Sequence, residues 1–476
     1  MSSKKPNQPG IKSSGILSVV PTTSSTLVLG SLVWMLACCL AACDNGESTP
    51  VDAAIDAAID AGDATGDATG DDPGWATQIG GDNIELGYAL AVDPTGNVYA
   101  VGDTGSAELG GQTAAGSGDG LVVKLRSDGT VEWTRLLGTT AYDSVAGVAV
   151  DGTGNACLVG NTGGELGGTY HGGQGDVFLA KMKPDGTTTW IVNIGSSGYD
   201  MATGVATDKE GNCYAAGMTE LTVGEGKNSG HEDAFIVKYS AEGELAWART
   251  FGTAGGDMGT ALAVDEAGNA YVTGYTVGAF GETKNAGALD VFVVKYSSDG
   301  TKGWAWQLGG ESEEYPNGIV ADSKNSAIYL TGYTLSSLDG KTNQGDKDVF
   351  LIKLGTDGQK LWTEQFGTEK KETGFGIDLN ATDGTVYISG RTEGELTTST
   401  IKGTVDYFVA KYEPSGQRAW IVQDGSEGVD PSWDLAIGPD SRIHIIGFTN
   451  GVIGAANAGS FDIYVKKLEW NVGSAQ

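Results

Sequence analysis

Seven acidic residues recur along this sequence at intervals of 57 or 58 residues. Each stands five residues after a glycine that closes an apolar run: Glu85, Asp143, Asp200, Asp257, Glu314, Glu372 and Asp430. Carboxylates placed around one centre could concentrate cations such as Ca²⁺, or bind cationic ligands. Alternatively, each carboxylate accepts hydrogen bonds from the backbone of its own loop or from a nearby threonine hydroxyl. Both interpretations remain open from the sequence, which establishes no cofactor or metal with certainty.

The histidines give little support to catalysis. His444 occupies a position where other repeats have tyrosine, which indicates a core residue, while His171 and His231 fall at different positions in long loops. A metal site shared by these two loop histidines is the alternative. The chain has no His-Glu-x-x-His motif, no phosphate-binding P-loop and no recognisable Ser/His/Asp order. We therefore expect no catalytic residue and a protein that is not an enzyme.

Two cysteines lie in the body of the chain. Cys157 occupies the tyrosine position of its repeat, and Cys213 is offset by one residue in the next repeat. Opposite faces of neighbouring strands could bring them together, which leaves a disulfide as an alternative. Stacked sheets are about 10 Å apart, however, and a disulfide does not span that distance. The sequence favours two unpaired cysteines.

The first 42 residues have the features of an export signal. Three lysines precede an apolar run from Leu27 to Leu40, and no acidic residue occurs before Asp44. This run is short for a membrane span and ends in small residues, as a signal peptide does. The sequence LAAC ending at Cys43 resembles a bacterial lipobox, which implies cleavage before Cys43 and its acylation. An ordinary secretory signal is the alternative.

Residues 43–74 are predicted to form an acidic, disordered tether. From Asp44 to Gly74 there are nine acidic residues and no basic one, a composition that does not support a folded core.

The whole chain carries a net charge of −32, so its surface repels nucleic acid. We expect membrane attachment through the N-terminal lipid, at the outer membrane or cell surface rather than at the periplasmic face of the inner membrane.

Residues 75–470 contain seven copies of one sequence repeat, and a short tail follows at 471–476. Tryptophans open one strand of each unit at Trp75, Trp133, Trp190, Trp247, Trp304, Trp362 and Trp420. Aspartates open another strand at Asp119, Asp176, Asp233, Asp290, Asp348, Asp406 and Asp462. Both series are interpreted as structural markers of the repeat, with the tryptophans packing between neighbouring units.

Each unit contains four short β-compatible runs, which we term strands A, B, C and D in chain order. Tight turns with glycine or asparagine join A to B and C to D, as at 93–97. Four antiparallel strands repeated seven times predict an all-β, seven-bladed β-propeller, expected to be monomeric. The A–B turn pattern is lost at 323–326, 381–384 and 439–442, so those turns are less securely assigned.

The repeats resemble the SBBP family of bacterial seven-bladed β-propeller repeats. The resemblance lies in the Asp-x-Phe-hydrophobic-x-Lys strand, the Gly-Asn-x-Tyr strand and the Gly-Thr loop, across about residues 75–470. It implies the fold, but it implies no catalytic motif.

The chain enters the repeats on a D strand at Trp75 and leaves them on a C strand at Asp462–Leu468. The first strand is therefore predicted to complete the last blade and close the ring.

Strand direction places the long B–C loops and the D–A loops on one face, where recognition is expected. We expect a non-catalytic display scaffold for a protein, glycan or cation; the alternatives are an envelope glycan- or quinone-active propeller enzyme and a purely structural envelope protein.

Overall fold

The computed structural model describes residues 74–280, 284–398 and 400–471. The predicted signal peptide, the acylation of Cys43 and the predicted tether lie outside these residues, apart from Gly74. Every regular element in the described part is a β-strand. The described residues form no helix that is long and apolar enough to cross a membrane.

Seven antiparallel sheets of four principal strands form the blades, as the repeat predicts. The A strands are β2 (Glu85–Val92), β8 (Asp143–Val150), β12 (Asp200–Thr207), β17 (Asp257–Val264), β21 (Glu314–Asp322), β25 (Glu372–Leu379) and β29 (Ser432–Ile437). The B strands are β3 (Val98–Thr104), β9 (Ala156–Thr162), β13 (Cys213–Thr219), β18 (Ala270–Thr276), β22 (Ala327–Thr334), β26 (Val386–Thr392) and β30 (Arg442–Thr449).

The C strands are β6 (Asp119–Leu125), β10 (Asp176–Met182), β15 (Asp233–Tyr239), β19 (Asp290–Tyr296), β23 (Asp348–Gly355), β27 (Asp406–Tyr412) and β31 (Asp462–Asn471). The D strands are β7 (Val131–Leu137), β11 (Thr188–Ile194), β16 (Leu245–Phe251), β20 (Lys302–Leu308), β24 (Lys360–Phe366), β28 (Arg418–Asp424) and β1 (Trp75–Ile79). Three two-residue strands lie in long loops: β4 (Glu108–Leu109), β5 (Gln112–Thr113) and β14 (Glu225–Gly226).

The A–B hairpins keep their geometry even where the Gly-Asn pattern is lost. Gly96 and Gly268 have positive φ angles of 88° and 79°, a conformation that glycine adopts without steric cost. In two divergent turns a serine takes this conformation instead, with φ of 51° at Ser326 and 60° at Ser441. The hairpin is therefore imposed by pairing of the flanking strands, at a local conformational cost.

Most of the apolar core lies in the seams between neighbouring blades. One buried cluster joins Tyr214 and Trp247 of the third blade to Val272 and Phe292 of the fourth. The indole of Trp247 donates a hydrogen bond to the carbonyl of Ser298 in the next blade at 3.1 Å. Equivalent bonds run from Trp133 to the carbonyl of Pro184 and from Trp190 to that of Ala241. The structure thus places the tryptophan series where adjacent blades meet.

The first strand closes the ring, which confirms the sequence prediction. Strand β1 pairs antiparallel with β31, with Trp75 opposite Lys467 and Ile79 opposite Ile463. The Trp75 indole donates to the Ser127 carbonyl in the first blade at 2.9 Å. One strand from the start of the described chain therefore completes the last blade and contacts the first.

The expectation that the two body cysteines are unpaired is wrong. Cys157 and Cys213 form a disulfide, with their Cα atoms 5.9 Å apart, and both residues are buried. The expected 10 Å spacing applies to sheets stacked in parallel planes. Propeller blades instead converge towards a common axis, and these cysteines lie on B strands, next to the inner A strands, of adjacent blades. The seam is narrow enough there for a disulfide.

Candidate functional site on the long-loop face

The long loops and the recurring carboxylates lie at the same end of the blades. Strands A and C begin at this end, and strands B and D finish there. The B–C loops, such as 105–118, and the D–A loops, such as 138–142, therefore form one face, which we call the long-loop face. The short A–B and C–D turns lie at the opposite end.

The carboxylates of the A-strand series are almost fully buried in their loops. The exposed fraction is 0% or 1% for Glu85, Asp143, Asp200, Asp257, Glu314, Glu372 and Asp430. Each accepts a hydrogen bond from the backbone N–H four residues earlier, at 2.6 or 2.7 Å. The final threonine of strand B also donates to some of them, as Thr334 does to Glu314 at 2.8 Å. These are the contacts that the hydrogen-bonding interpretation describes, while cation binding by the whole series stays a prediction.

At four seams the glycine that closes the D strand lies beside both an A-strand carboxylate and the C-strand aspartate of the preceding blade. At the seam between the second and third blades, a Cβ placed on Gly195 would lie 2.8 Å from Asp176 Oδ1 and 3.1 Å from Asp200 Oδ2. Glycine closes the D strand there because a larger residue would collide with the carboxylates. The structure thus brings together two acidic series that the sequence analysis treated separately.

Burial dominates the electrostatics of these carboxyl pairs. Desolvation raises the pKa of Asp200 above its usual range, hydrogen bonds from Thr219 and Ser196 oppose that rise, and the nearby charge of Asp176 adds to it. Burial likewise raises the pKa of Glu372, with a smaller contribution from Asp348. Protons or cations at these seams would therefore relieve an electrostatic cost.

A glutamine series that the sequence analysis missed supplies an amide donor at four seams. Gln78, Gln307, Gln365 and Gln423 each stand three residues after the repeat tryptophan. Their amide nitrogens donate to the C-strand aspartates at 2.8–3.1 Å, as from Gln307 to Asp290 at 2.8 Å. The remaining seams have Leu136, Asn193 and Thr250 at this position. The recurring Trp-x-x-Gln spacing was the signal that could have identified this series.

The A strands are the innermost strands of the blades. Neighbouring A strands contact one another through the residue that stands three positions after the A-strand carboxylate. In blades three and four these residues are polar: the Thr203 hydroxyl donates to the Thr260 carbonyl, and the Thr260 hydroxyl donates to the Pro316 carbonyl, both at 2.7 Å. In blades six and seven they are aromatic, and the rings of Phe375 and Trp433 stack with centroids 4.4 Å apart. The inner ring therefore has a polar side and an aromatic side.

Three segments of the chain, residues 74–110, 132–167 and 246–281, match SBBP, a beta-propeller repeat. These three segments are similar to SBBP repeats, in agreement with the resemblance seen in the sequence. Regulatory protein FlaEY of Caulobacter vibrioides is 26% identical over 206 residues, covering 38% of this chain and 22% of that protein. An uncharacterized WD repeat-containing protein, L264 of Acanthamoeba polyphaga mimivirus, is 23% identical, covering 57% of this chain and 26% of that protein. This chain therefore spans about a quarter of the length of these curated relatives.

Among solved structures, the β-propeller domain of Myceliophteria thermophila Cps50 (Swd1) is similar at a TM-score of 0.47 and 9% identity. The alignment covers 83% of this chain and 99% of that domain. BamB from Moraxella catarrhalis aligns at a TM-score of 0.37 and 12% identity, covering 83% and 98% respectively. The fold assignment rests on the observed strand pairing.

The long-loop face presents most of the exposed large apolar side chains in the described part of the chain. Among the described residues, Ile84, Tyr142, Leu221, Val277 and Val452 lie in B–C or D–A loops. Their exposed fractions run from 37% to 62%. The other two exposed large apolar residues, Leu245 and Leu361, lie at the start of D strands, towards the short-turn end. The apolar surface is therefore concentrated on one face.

The histidines are not gathered into a site. Buried His444 has its pKa lowered to about 4 by desolvation and packs against Trp75, whose ring centroid is 5.9 Å away. His171 Nδ1 lies 3.0 Å from Asp176 Oδ2. Within the described ranges, no group of three or more His, Cys, Asp or Glu side chains is arranged to hold a metal ion. The alternative of a metal site shared by His171 and His231 therefore gains no support from these residues.

Proposed function

We propose that this protein is an exported, lipid-anchored β-propeller that acts as a non-catalytic binding and display scaffold at the bacterial cell envelope. The export signal and the lipobox at Cys43 are the sequence basis for anchoring. The Cys157–Cys213 disulfide supports export, because such bonds persist in oxidising compartments and are rare in the cytosol.

The concentration of exposed apolar residues on the long-loop face is the observation that supports binding there. Apolar side chains grouped on one face of a soluble domain commonly mark a surface that meets a partner. Here Leu221 and Val277 lie in the corresponding loops of adjacent blades, and both are close to half exposed. Because the polar loops around them also offer hydrogen-bond partners, a protein or glycan surface fits this face best.

Replacing Leu221, Val277 and Val452 with serine should abolish the binding of any protein or glycan recognised by an array screen of the purified chain. Burial of three such side chains contributes several kcal/mol, so their loss should weaken affinity at least 100-fold. Surface plasmon resonance on the array hits would measure this. Leu245→Ser/Leu361→Ser is the matched control, and it should bind like the wild type.

Equal weakening by both sets of substitutions would contradict a binding role for the long-loop face. An array without any reproducible hit would favour the purely structural alternative. Turnover of an arrayed glycan would favour the enzyme alternative. A partly buried polar pair supports that alternative: the hydroxyl of Tyr142 donates to Asp103, and burial raises the pKa of Asp103 to about 6.

Cys43→Ala should prevent lipid attachment and leave the protein in the uncleaved form or in the soluble fraction. The reason is that the cysteine sulfur is the acylation site and the cleavage signal ends at this residue. Metabolic labelling with a fatty acid and membrane fractionation would measure both effects, with Cys39→Ala as the control. A Cys43→Ala protein of mature length that still carries label and stays in the membrane would contradict the proposal.

A further inference from the structure

The seam between the third and fourth blades contains two carboxylates that face the same glycine. A Cβ placed on Gly252 would lie 2.7 Å from Asp233 Oδ1 and 2.8 Å from Asp257 Oδ2. The exposed fractions of Asp233 and Asp257 are 0% and 1%. Two acidic groups are therefore held side by side, with almost no access to bulk water to stabilise their charge.

Both carboxylates leave one oxygen without a donor. Asp233 Oδ2 accepts from the Ser229 N–H at 2.8 Å, and Asp257 Oδ2 accepts from the Thr253 N–H at 2.6 Å. The Oδ1 atoms of both aspartates are buried and have no hydrogen-bond partner among the described residues. A buried, unsatisfied carboxylate oxygen is costly, so two at one seam indicate that a positive group is needed there.

At four other seams a glutamine amide donates to Oδ2 of the C-strand aspartate, and at one of these seams Oδ1 of Asp348 still has no partner among the described residues. Gln307 donates to Asp290 at 2.8 Å and also donates to the Gly278 carbonyl at 3.1 Å. At the seam of blades three and four the corresponding residue is Thr250, whose shorter side chain bonds to Val223 instead. Asp233 therefore lacks the amide donor that four of the seven C-strand aspartates receive.

We propose that Asp233 and Asp257 bind a single divalent cation, of which Ca²⁺ is the best match, in place of the missing amide donor. Carboxylate oxygens are preferred Ca²⁺ ligands, and this ion tolerates irregular sets of carbonyl, hydroxyl and water oxygens around them. Glu232 adds a third negative charge close by, since a Cβ placed on Gly256 would lie 3.0 Å from its Oε2. The proposal concerns one seam and is independent of the binding role of the long-loop face.

The test compares the melting temperature of the full chain, solubilised in mild detergent, in Ca²⁺ and in a chelator at neutral pH. Millimolar Ca²⁺ should raise the wild-type melting temperature by about 3–5 °C, because a ligand that binds only the folded state stabilises it. Asp233→Asn should lose most of this shift. Asp290→Asn, at a seam that already has its glutamine, is the matched control and should keep the shift.

Thr250→Gln provides a second, independent arm. It introduces the glutamine that four other seams have at this position. The variant should stay folded, and Ca²⁺ should raise its melting temperature by less than it raises that of the wild type.

Isothermal titration calorimetry should detect one Ca²⁺ per wild-type chain and none in Asp233→Asn. No Ca²⁺ shift in the wild type would overturn the proposal. A melting temperature that instead falls with rising pH, and does so only when Asp233 is present, would overturn it in favour of a shared proton. Equal Ca²⁺ shifts in the wild type and Asp233→Asn would place any site elsewhere.

Discussion

A chain lacking residues 74–80 is expected to melt at a much lower temperature than the intact chain. The deletion removes strand β1, every residue of which is paired with a residue of β31. It also removes the Trp75 indole, whose hydrogen bond to Ser127 links the last blade to the first. Loss of a core tryptophan alone typically costs about 3–5 kcal/mol, and Trp75 is half-buried, so its share is smaller. Exposure of the β31 edge adds to the loss.

Differential scanning calorimetry would measure this effect against a deletion of equal length at residues 60–66, in the predicted tether. That control shortens the chain by the same amount without touching a blade, so it should melt like the wild type. Trp75→Ala should fall between the two deletions, since it keeps the backbone pairing of β1. Similar melting temperatures for both deletions would mean that ring closure contributes little to stability.

The sequence predicted the blades well because their signals are local and occur seven times. The tryptophan at the start of each D strand and the aspartate at the start of each C strand fix the register of four strands, and one error in a single repeat is corrected by the other six. Ring closure followed from the same register, because the repeats open with a D strand and close with a C strand. These conclusions required no knowledge of distances between blades.

The seams were harder to predict because they depend on distances between side chains that lie on different strands and blades. The pairing of Asp233 with Asp257 requires knowing that a C strand and the next A strand meet beside Gly252. The Trp-x-x-Gln pattern occurs in only four repeats, so Gln307 and its equivalents resemble ordinary exposed polar residues in the sequence. The cysteine expectation failed for the same reason, since a spacing for flat stacked sheets was applied to converging blades.

The disulfide should contribute strongly to stability. Cys157 and Cys213 are 56 residues apart, and cross-linking a loop of that length lowers the entropy of the unfolded chain by an amount equivalent to about 4 kcal/mol. Cys157→Ala/Cys213→Ala should therefore unfold at a clearly lower denaturant concentration than the wild type. Because the bond joins adjacent blades, its loss should weaken the seam between blades two and three first.

Guanidinium denaturation with and without a reductant would separate the bond from the packing of the sulfur atoms. The leader cysteines Cys38, Cys39 and Cys43 would be replaced by serine in both chains, so that only the body cysteines respond. Reductant should lower the midpoint of the chain that keeps Cys157 and Cys213, and it should leave the double-alanine chain unchanged. Two alkylatable thiols in unreduced, exported protein would contradict the disulfide. They would also remove the support that it gives to an oxidising compartment, because a buried pair this close oxidises readily wherever the compartment permits.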